Sequence, residues 1–142
     1  MIIFKDTSIW EARYTGDIND PFSVKLLYRG NDTLYWKWTL VNIEGDFLIY
    51  AGRNKFYKFD LSSRSPVEIP ELSRCSNIFF ENNQKDQMER VYGAVNSITS
   101  EVWFTIPEGV DDKVLAWDWR WGTCSTIDYF PTAAQTRELD RD

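Results

Sequence analysis

Phe47-Leu48-Ile49-Tyr50, then Ala51-Gly52-Arg53-Asn54, then Phe56-Tyr57-Lys58-Phe59-Asp60-Leu61: two aromatic runs around a tight polar turn decide how this chain is read. Runs of four to six aromatic and β-branched residues suit short strands, and a Gly/Asn turn between them makes an antiparallel hairpin. The unit recurs. Glu101-Val102-Trp103-Phe104-Thr105-Ile106-Pro107 followed by Lys113-Val114-Leu115-Ala116-Trp117-Asp118-Trp119 is a second copy. Ile2-Ile3-Phe4-Lys5, turn Asp6-Thr7, Ser8-Ile9-Trp10 is a third. Repeated hairpins of this kind point to a radial or stacked β architecture rather than a compact enzyme.

Working outward, residues 2–28 read as a hairpin plus a third strand. In it Ile3, Lys5, Ile9, Glu11 and Arg13 alternate with Phe4, Ser8, Trp10, Ala12 and Tyr14. Thr15–Pro21 is a polar loop. Residues 34–69 hold four expected strands: Leu34–Val41, the hairpin above, and a short edge strand Val67-Glu68-Ile69 stopped by Pro70. Glu44-Gly45-Asp46 supplies the turn after the first of them. Residues 91–129 hold four more, with Glu108–Asp112 joining the middle pair. Between these units, 71–90 reads as a loop or short helix, its start pinned by Leu72, Ile78, Phe79 and Phe80. Residues 132–142 read as a C-terminal extension of a β domain at 1–131. The expected fold is therefore all-β, with about two and a half antiparallel propeller-like blades. Closed propellers need at least four, so the propeller is incomplete in this chain. It is read as an open fragment, or as a piece that completes its sheets with other material.

Composition supports a packed core and narrows the function. Of 142 residues 16% are aromatic, seven of them Trp, and the net charge is −6. The charge is uneven: residues 1–71 carry nine Lys/Arg against ten Asp/Glu, whereas residues 72–142 carry seven against twelve. That balance argues against a nucleic-acid grip, which needs basic patches that release counterions. It suits a surface that nucleic acid passes without sticking. Cys75 and Cys124 lie far apart in sequence and outside any CxxC pair, so both are expected as thiols in a reducing compartment. Charge at Lys5 and Asp6 interrupts the apolar N-terminus, so no exported leader is expected, nor any membrane span.

The chain contains no His, which removes Ser-His-Asp and Cys-His nucleophiles and most zinc sites. Glu108, Asp111, Asp112 and the group Asp17, Asn19, Asp20 are acidic clusters, but neither has the spacing of a calcium loop, and both read as solvated turns. Asp118 with Glu101 near Trp103 resembles a glycosidase carboxylate pair, yet alternation sets Asp118 opposite Trp117 and Trp119. No catalytic residue, metal ligand or cofactor is expected. The interface candidates are Trp117, Trp119 and Trp121, at strand spacing on one face. They read as inter-blade packing or, in the sharper alternative, as an exposed aromatic ladder for a subunit or a sugar.

Three patches carry a family resemblance. Ile2-Ile3-Phe4-Lys5-Asp6-Thr7-Ser8-Ile9-Trp10 with Tyr14-Thr15-Gly16 is the first, and Gly52-Arg53-Asn54-Lys55-Phe56-Tyr57-Lys58-Phe59-Asp60 the second. The third joins Val91-Tyr92-Gly93-Ala94-Val95, Glu101-Val102-Trp103-Phe104 and Val114-Leu115-Ala116-Trp117-Asp118-Trp119. In this order, over about 110 of 142 residues, they resemble the β-propeller virion proteins of short-tailed bacteriophages: tail nozzle, tail hub and packaged-DNA stabilisation proteins. The resemblance implies a non-enzymatic structural subunit of the virion, made in the host bacterial cytoplasm. It would form a homo-oligomeric ring around the DNA exit channel, touching neighbouring tail or neck proteins and brushing passing DNA. A carbohydrate- or receptor-binding propeller module is the alternative reading, and a propeller glycosidase fragment a more distant one.

Overall fold

A computed structural model describes residues 1–60, 62–82, 90–106 and 113–127. The fold is all-β and antiparallel, in three blade-like sheets. The first contains β1 (Ile2–Lys5), β2 (Ser8–Tyr14) and β3 (Phe22–Arg29), in that order. The second runs β4 (Val41–Ile43), β5 (Phe47–Ala51), β6 (Phe56–Asp60) and β7 (Pro66–Glu68). One helix, α1 (Pro70–Asn82), precedes the third sheet of β8 (Gly93–Asn96), β9 (Glu101–Ile106), β10 (Lys113–Asp118) and β11 (Thr123–Ile127). Leu61, the joint 107–112 and the residues from 128 onward, which include the expected extension 132–142, lie outside the described residues.

The central hairpin is sandwiched, which explains its unbroken apolar run. Phe47, Ile49, Ala51 and Phe56 face a core shared with Val102, Phe104, Leu115 and Trp117 of the third sheet. Leu48, Tyr50, Tyr57 and Phe59 face the other way, against Phe4, Ile9 and Leu27 of the first sheet. A strand covered on both faces has no polar side to show, so alternation disappears from its sequence. Phe56 sits against Phe104 with ring centroids 4.5 Å apart, and Phe4 meets Tyr50 edge-on at 5.1 Å.

The structure corrects two local expectations and decides a third. Leu34–Val41 is not a strand: a 3-10 turn occupies Lys37–Thr39, and the strand begins only at Val41. The backbone groups a longer strand would pair are already satisfied. The Thr39 hydroxyl accepts from the Ala51 N–H at 2.9 Å, while Tyr35 and Trp36 N–H groups both reach the Ala51 carbonyl. In the first hairpin the alternation crosses over at the turn. Lys5 pairs with Ser8 across Asp6-Thr7, which sets Ile3 opposite Trp10 and Phe4 opposite Ile9. Of the two readings of 71–90, loop or short helix, the structure has a helix, the 13-residue Pro70–Asn82. Pro70 opens it, where a missing N–H costs nothing, and Glu71 sits favourably in its first turn. Glu68 locks that end by accepting from Ser73 Oγ at 2.9 Å and Lys55 Nζ at 2.6 Å. Leu72 is fully buried, and Phe80 packs on the same core; Ile78 and Phe79 lie outside the side chains described.

The second and third sheets converge at their first strands. A Cβ at Gly93 in β8 would stand 2.8 Å from Val41 Cγ1, 2.9 Å from Phe104 Cε1 and 3.1 Å from the Thr39 carbonyl. Only glycine fits there. Gly93→Ala is expected to destabilise the chain by about 1–3 kcal/mol in urea unfolding, because β8 must move off β4. Unchanged stability would mean the seam yields freely. The β4–β5 turn places Glu44 and Gly45 both at positive φ, 49° and 82°, with Asp46 N–H donating to the Ile43 carbonyl at 2.9 Å. That handed turn matches the twist of the strands it joins.

Candidate functional site

The three candidate tryptophans do not form one ladder. β10 ends at Asp118, so only Trp117 is in the strand. It is 6% exposed and packs in the core between the second and third sheets. Trp119 is half-buried against that core, while Trp121, 79% exposed, sits on the turn. Asp118 builds this turn: its Oδ1 accepts from the N–H groups of Arg120 at 2.8 Å and Trp121 at 3.1 Å. Gly122, at φ 63°, closes the turn by donating to the Asp118 carbonyl.

Asp118 and Glu101 are direct cross-strand partners. Glu101 Oε2 is taken by Thr99 Oγ1 at 2.8 Å and Trp103 Nε1 at 3.0 Å. Both carboxylates thus hold the ends of a hairpin. The Asp17–Asp20 cluster is likewise a hydrogen-bonded turn, in which Asn19 N–H donates to Asp17 Oδ1 at 2.8 Å and Thr15 Oγ1 to the Asp20 carbonyl. Among the described residues no group of three or more His, Cys, Asp or Glu could hold a metal ion. The cluster Glu108, Asp111, Asp112 lies outside them. No helix there is long and apolar enough to cross a membrane.

A different surface is more conspicuous. On the outer face of the first sheet, register pairs Ile3 with Trp10, Trp10 with Leu26, Ala12 with Val24 and Tyr14 with Phe22. Tyr14 is 72% exposed, Phe22 56%, Val24 57% and Leu26 37%. The Tyr14 and Phe22 rings meet edge-on at 5.9 Å. β3 is also an edge strand of eight residues, with ladder groups open on one side. Alternation of Phe22, Val24 and Leu26 with Ser23 and Lys25 was visible in the sequence, but that pattern does not say which face is left uncovered.

The opposite face of the same strands opens into a cleft of about 200 Å3 lined by Glu11, Arg13, Ser23, Lys25 and Arg64. Arg13 Nε donates to Glu11 Oε1 at 2.7 Å, and this bond, with the nearby cations, holds the Glu11 carboxyl below its usual range. Three cations around one carboxylate make the cleft locally basic in an acidic chain. Between the first two sheets lies a polar knot that sequence reasoning missed. Asp32 accepts from Tyr57 Oη at 2.7 Å and Tyr28 Oη at 3.1 Å through its carboxylate, and from Tyr50 Oη at 2.7 Å through its carbonyl.

Fold and surfaces together define an all-β chain of stacked, blade-like sheets, with an uncovered apolar face on the first of them among the described residues. Compared with known families and curated proteins, the sequence matches no family model and no curated sequence.

Proposed function

We propose that this chain is a non-enzymatic structural subunit of a tailed-phage virion, a nozzle or neck component that assembles with copies of itself around the DNA exit channel. The observation that carries the assembly is the outer face of the first sheet. The second sheet is covered on both faces by its neighbours, whereas Tyr14, Phe22, Val24 and Leu26 stand in water on a sheet of the same construction. The virion setting rests on the sequence resemblance, whose three patches fall in β1–β2, in the β5–β6 hairpin and in β8–β10.

Magnitudes favour a ring over an isolated pair. Burying a large apolar side chain contributes about 1.5–3 kcal/mol when it starts fully exposed, so four partly exposed ones supply on the order of 5 kcal/mol per face. Association costs on the order of 4–15 kcal/mol. One such contact is therefore weak; in a closed ring this face meets a different surface of the next subunit, and two contacts per subunit make the assembly persist. The net charge of −6 lets DNA pass such a channel without sticking.

Light scattering on the purified chain tests this reading, with a ring-sized oligomer as the expected species. Val24→Asp combined with Leu26→Asp is expected to give monomers whose thermal midpoint is nearly unchanged, since both side chains are exposed in the single chain. A wild-type monomer at all concentrations that binds a glycan at about micromolar strength would sink it in favour of a carbohydrate-binding module.

A further inference from the structure

Cys75 and Cys124 are separated by roughly fifty residues of sequence, yet the fold brings both against the same core. Cys75 lies on α1 and Cys124 on β11, elements that pack together, and both side chains rest against the core shared by the second and third sheets. Leu72 and Cys75, three residues apart, share the helix face turned to that core. Both thiols are free, and Cys75 is near enough to raise the Cys124 thiol. Glu71 comes close to Gly122 at the start of β11, with its Cγ 3.6 Å from where a Cβ would stand, so the helix is seated beside the thiols as well as at them.

We propose that Cys75 and Cys124 are a reversible dithiol–disulfide pair that clamps α1 to the edge strand β11 when the surroundings become oxidising. β11 is the outermost strand of its sheet, and Cys124 is its one half-buried side chain among otherwise exposed neighbours. A covalent tie there fastens the least buried strand of the third sheet to the helix.

The oxidant is a small-molecule disulfide such as oxidised glutathione. One cysteine thiolate attacks it, forming a mixed disulfide and releasing one small thiol. The second thiolate then attacks the protein sulfur of that mixed disulfide and releases the other small thiol. Two S–H bonds are lost and one protein S–S bond forms, while two electrons and two protons pass to the small disulfide, now two thiols. In the disulfide the two sulfurs stand about 2 Å apart. Burial, together with the neighbouring Cys75, pushes the Cys124 thiol up, so closure is slow near neutrality and faster at higher pH.

The test uses the full chain incubated with oxidised glutathione at about pH 8, in native buffer and in urea. In native buffer both thiols should disappear without chain dimers, leaving a mass about 2 Da below the dithiol form and one cross-linked peptide containing positions 75 and 124. The native thiol–disulfide equilibrium should give an effective concentration at least about tenfold above that in urea. Closing a loop of this size should raise Tm by about 5–10 °C, reversed by dithiothreitol. Cys75→Ser or Cys124→Ser should abolish the mass change. Persistent glutathione adducts at both positions, chain-to-chain dimers, or equal effective concentrations in buffer and urea would each overturn the proposal, and none of these needs a variant to fold.

Discussion

Phe56→Ala lowers the stability of this chain by about 3–5 kcal/mol, the cost of a buried phenylalanine truncated in a packed core. Phe56 has no exposed surface; its ring lies 4.5 Å from that of Phe104 in the third sheet and 5.5 Å from that of Phe80 in the helix. It therefore joins three elements that are distant in sequence, and the hole left by alanine lies where neither sheet can collapse without breaking a ladder. Total stabilities of domains this size run about 5–15 kcal/mol, so the variant stands near the edge of folding. Urea unfolding at constant m-value is the measurement. Val67→Ala, at a side chain 57% exposed, is the control and should change stability by less than about 0.5 kcal/mol. A loss below about 1 kcal/mol at Phe56 would mean that the second and third sheets do not pack as described.

Asp32→Ala is the second large effect, about 2–4 kcal/mol, and it comes from stranded hydroxyls rather than lost volume. Without the carboxylate, the phenols of Tyr28 and Tyr57 lose their acceptor, at about 1–3 kcal/mol for each donor left unpaired. Tyr57→Phe should therefore cost less in the Asp32→Ala background than in the wild type, and equal costs would deny the contact. The same knot makes the fold sensitive to alkali. Burial first, then the charge of Asp32 and neighbouring phenols, pushes the hydroxyls of Tyr50 and Tyr57 well above the usual tyrosine range. An unfolded tyrosine ionises near pH 10, so the stability these groups give is intact below that pH. It falls above it, because the unfolded chain then sheds protons the folded chain keeps. For Tyr50 alone the slope is about 1.4 kcal/mol per pH unit. Tyr50→Phe should flatten the alkaline limb of a stability-versus-pH curve.

Much of the architecture was legible because hairpins are local. Turn chemistry at Asp6-Thr7, Glu44-Gly45 and Gly52–Lys55 pairs neighbours in sequence, and aromatic runs of four to six residues leave little choice but strands. Where the reading failed, a longer-range contact had decided. Leu34–Val41 favours a strand apart from Lys37 and its leucines, but Thr39 spends its hydroxyl on Ala51 N–H and bends the chain into a 3-10 turn. Trp117, Trp119 and Trp121 keep strand spacing, yet Asp118 accepts two backbone N–H groups and ends the strand between them. A polar side chain bonding its own backbone competes with the ladder, and composition does not record which of them prevails.

By itself, the sequence determined the all-β class, the hairpins and their order, since each depends on residues only a few positions apart. Only the tertiary structure decided which faces meet. It buried the central hairpin on both sides, left Tyr14, Phe22, Val24 and Leu26 uncovered, gathered three tyrosines on Asp32, and brought Cys75 beside Cys124. Strand periodicity gives a side chain one of two faces, but what covers that face is set by elements far along the chain.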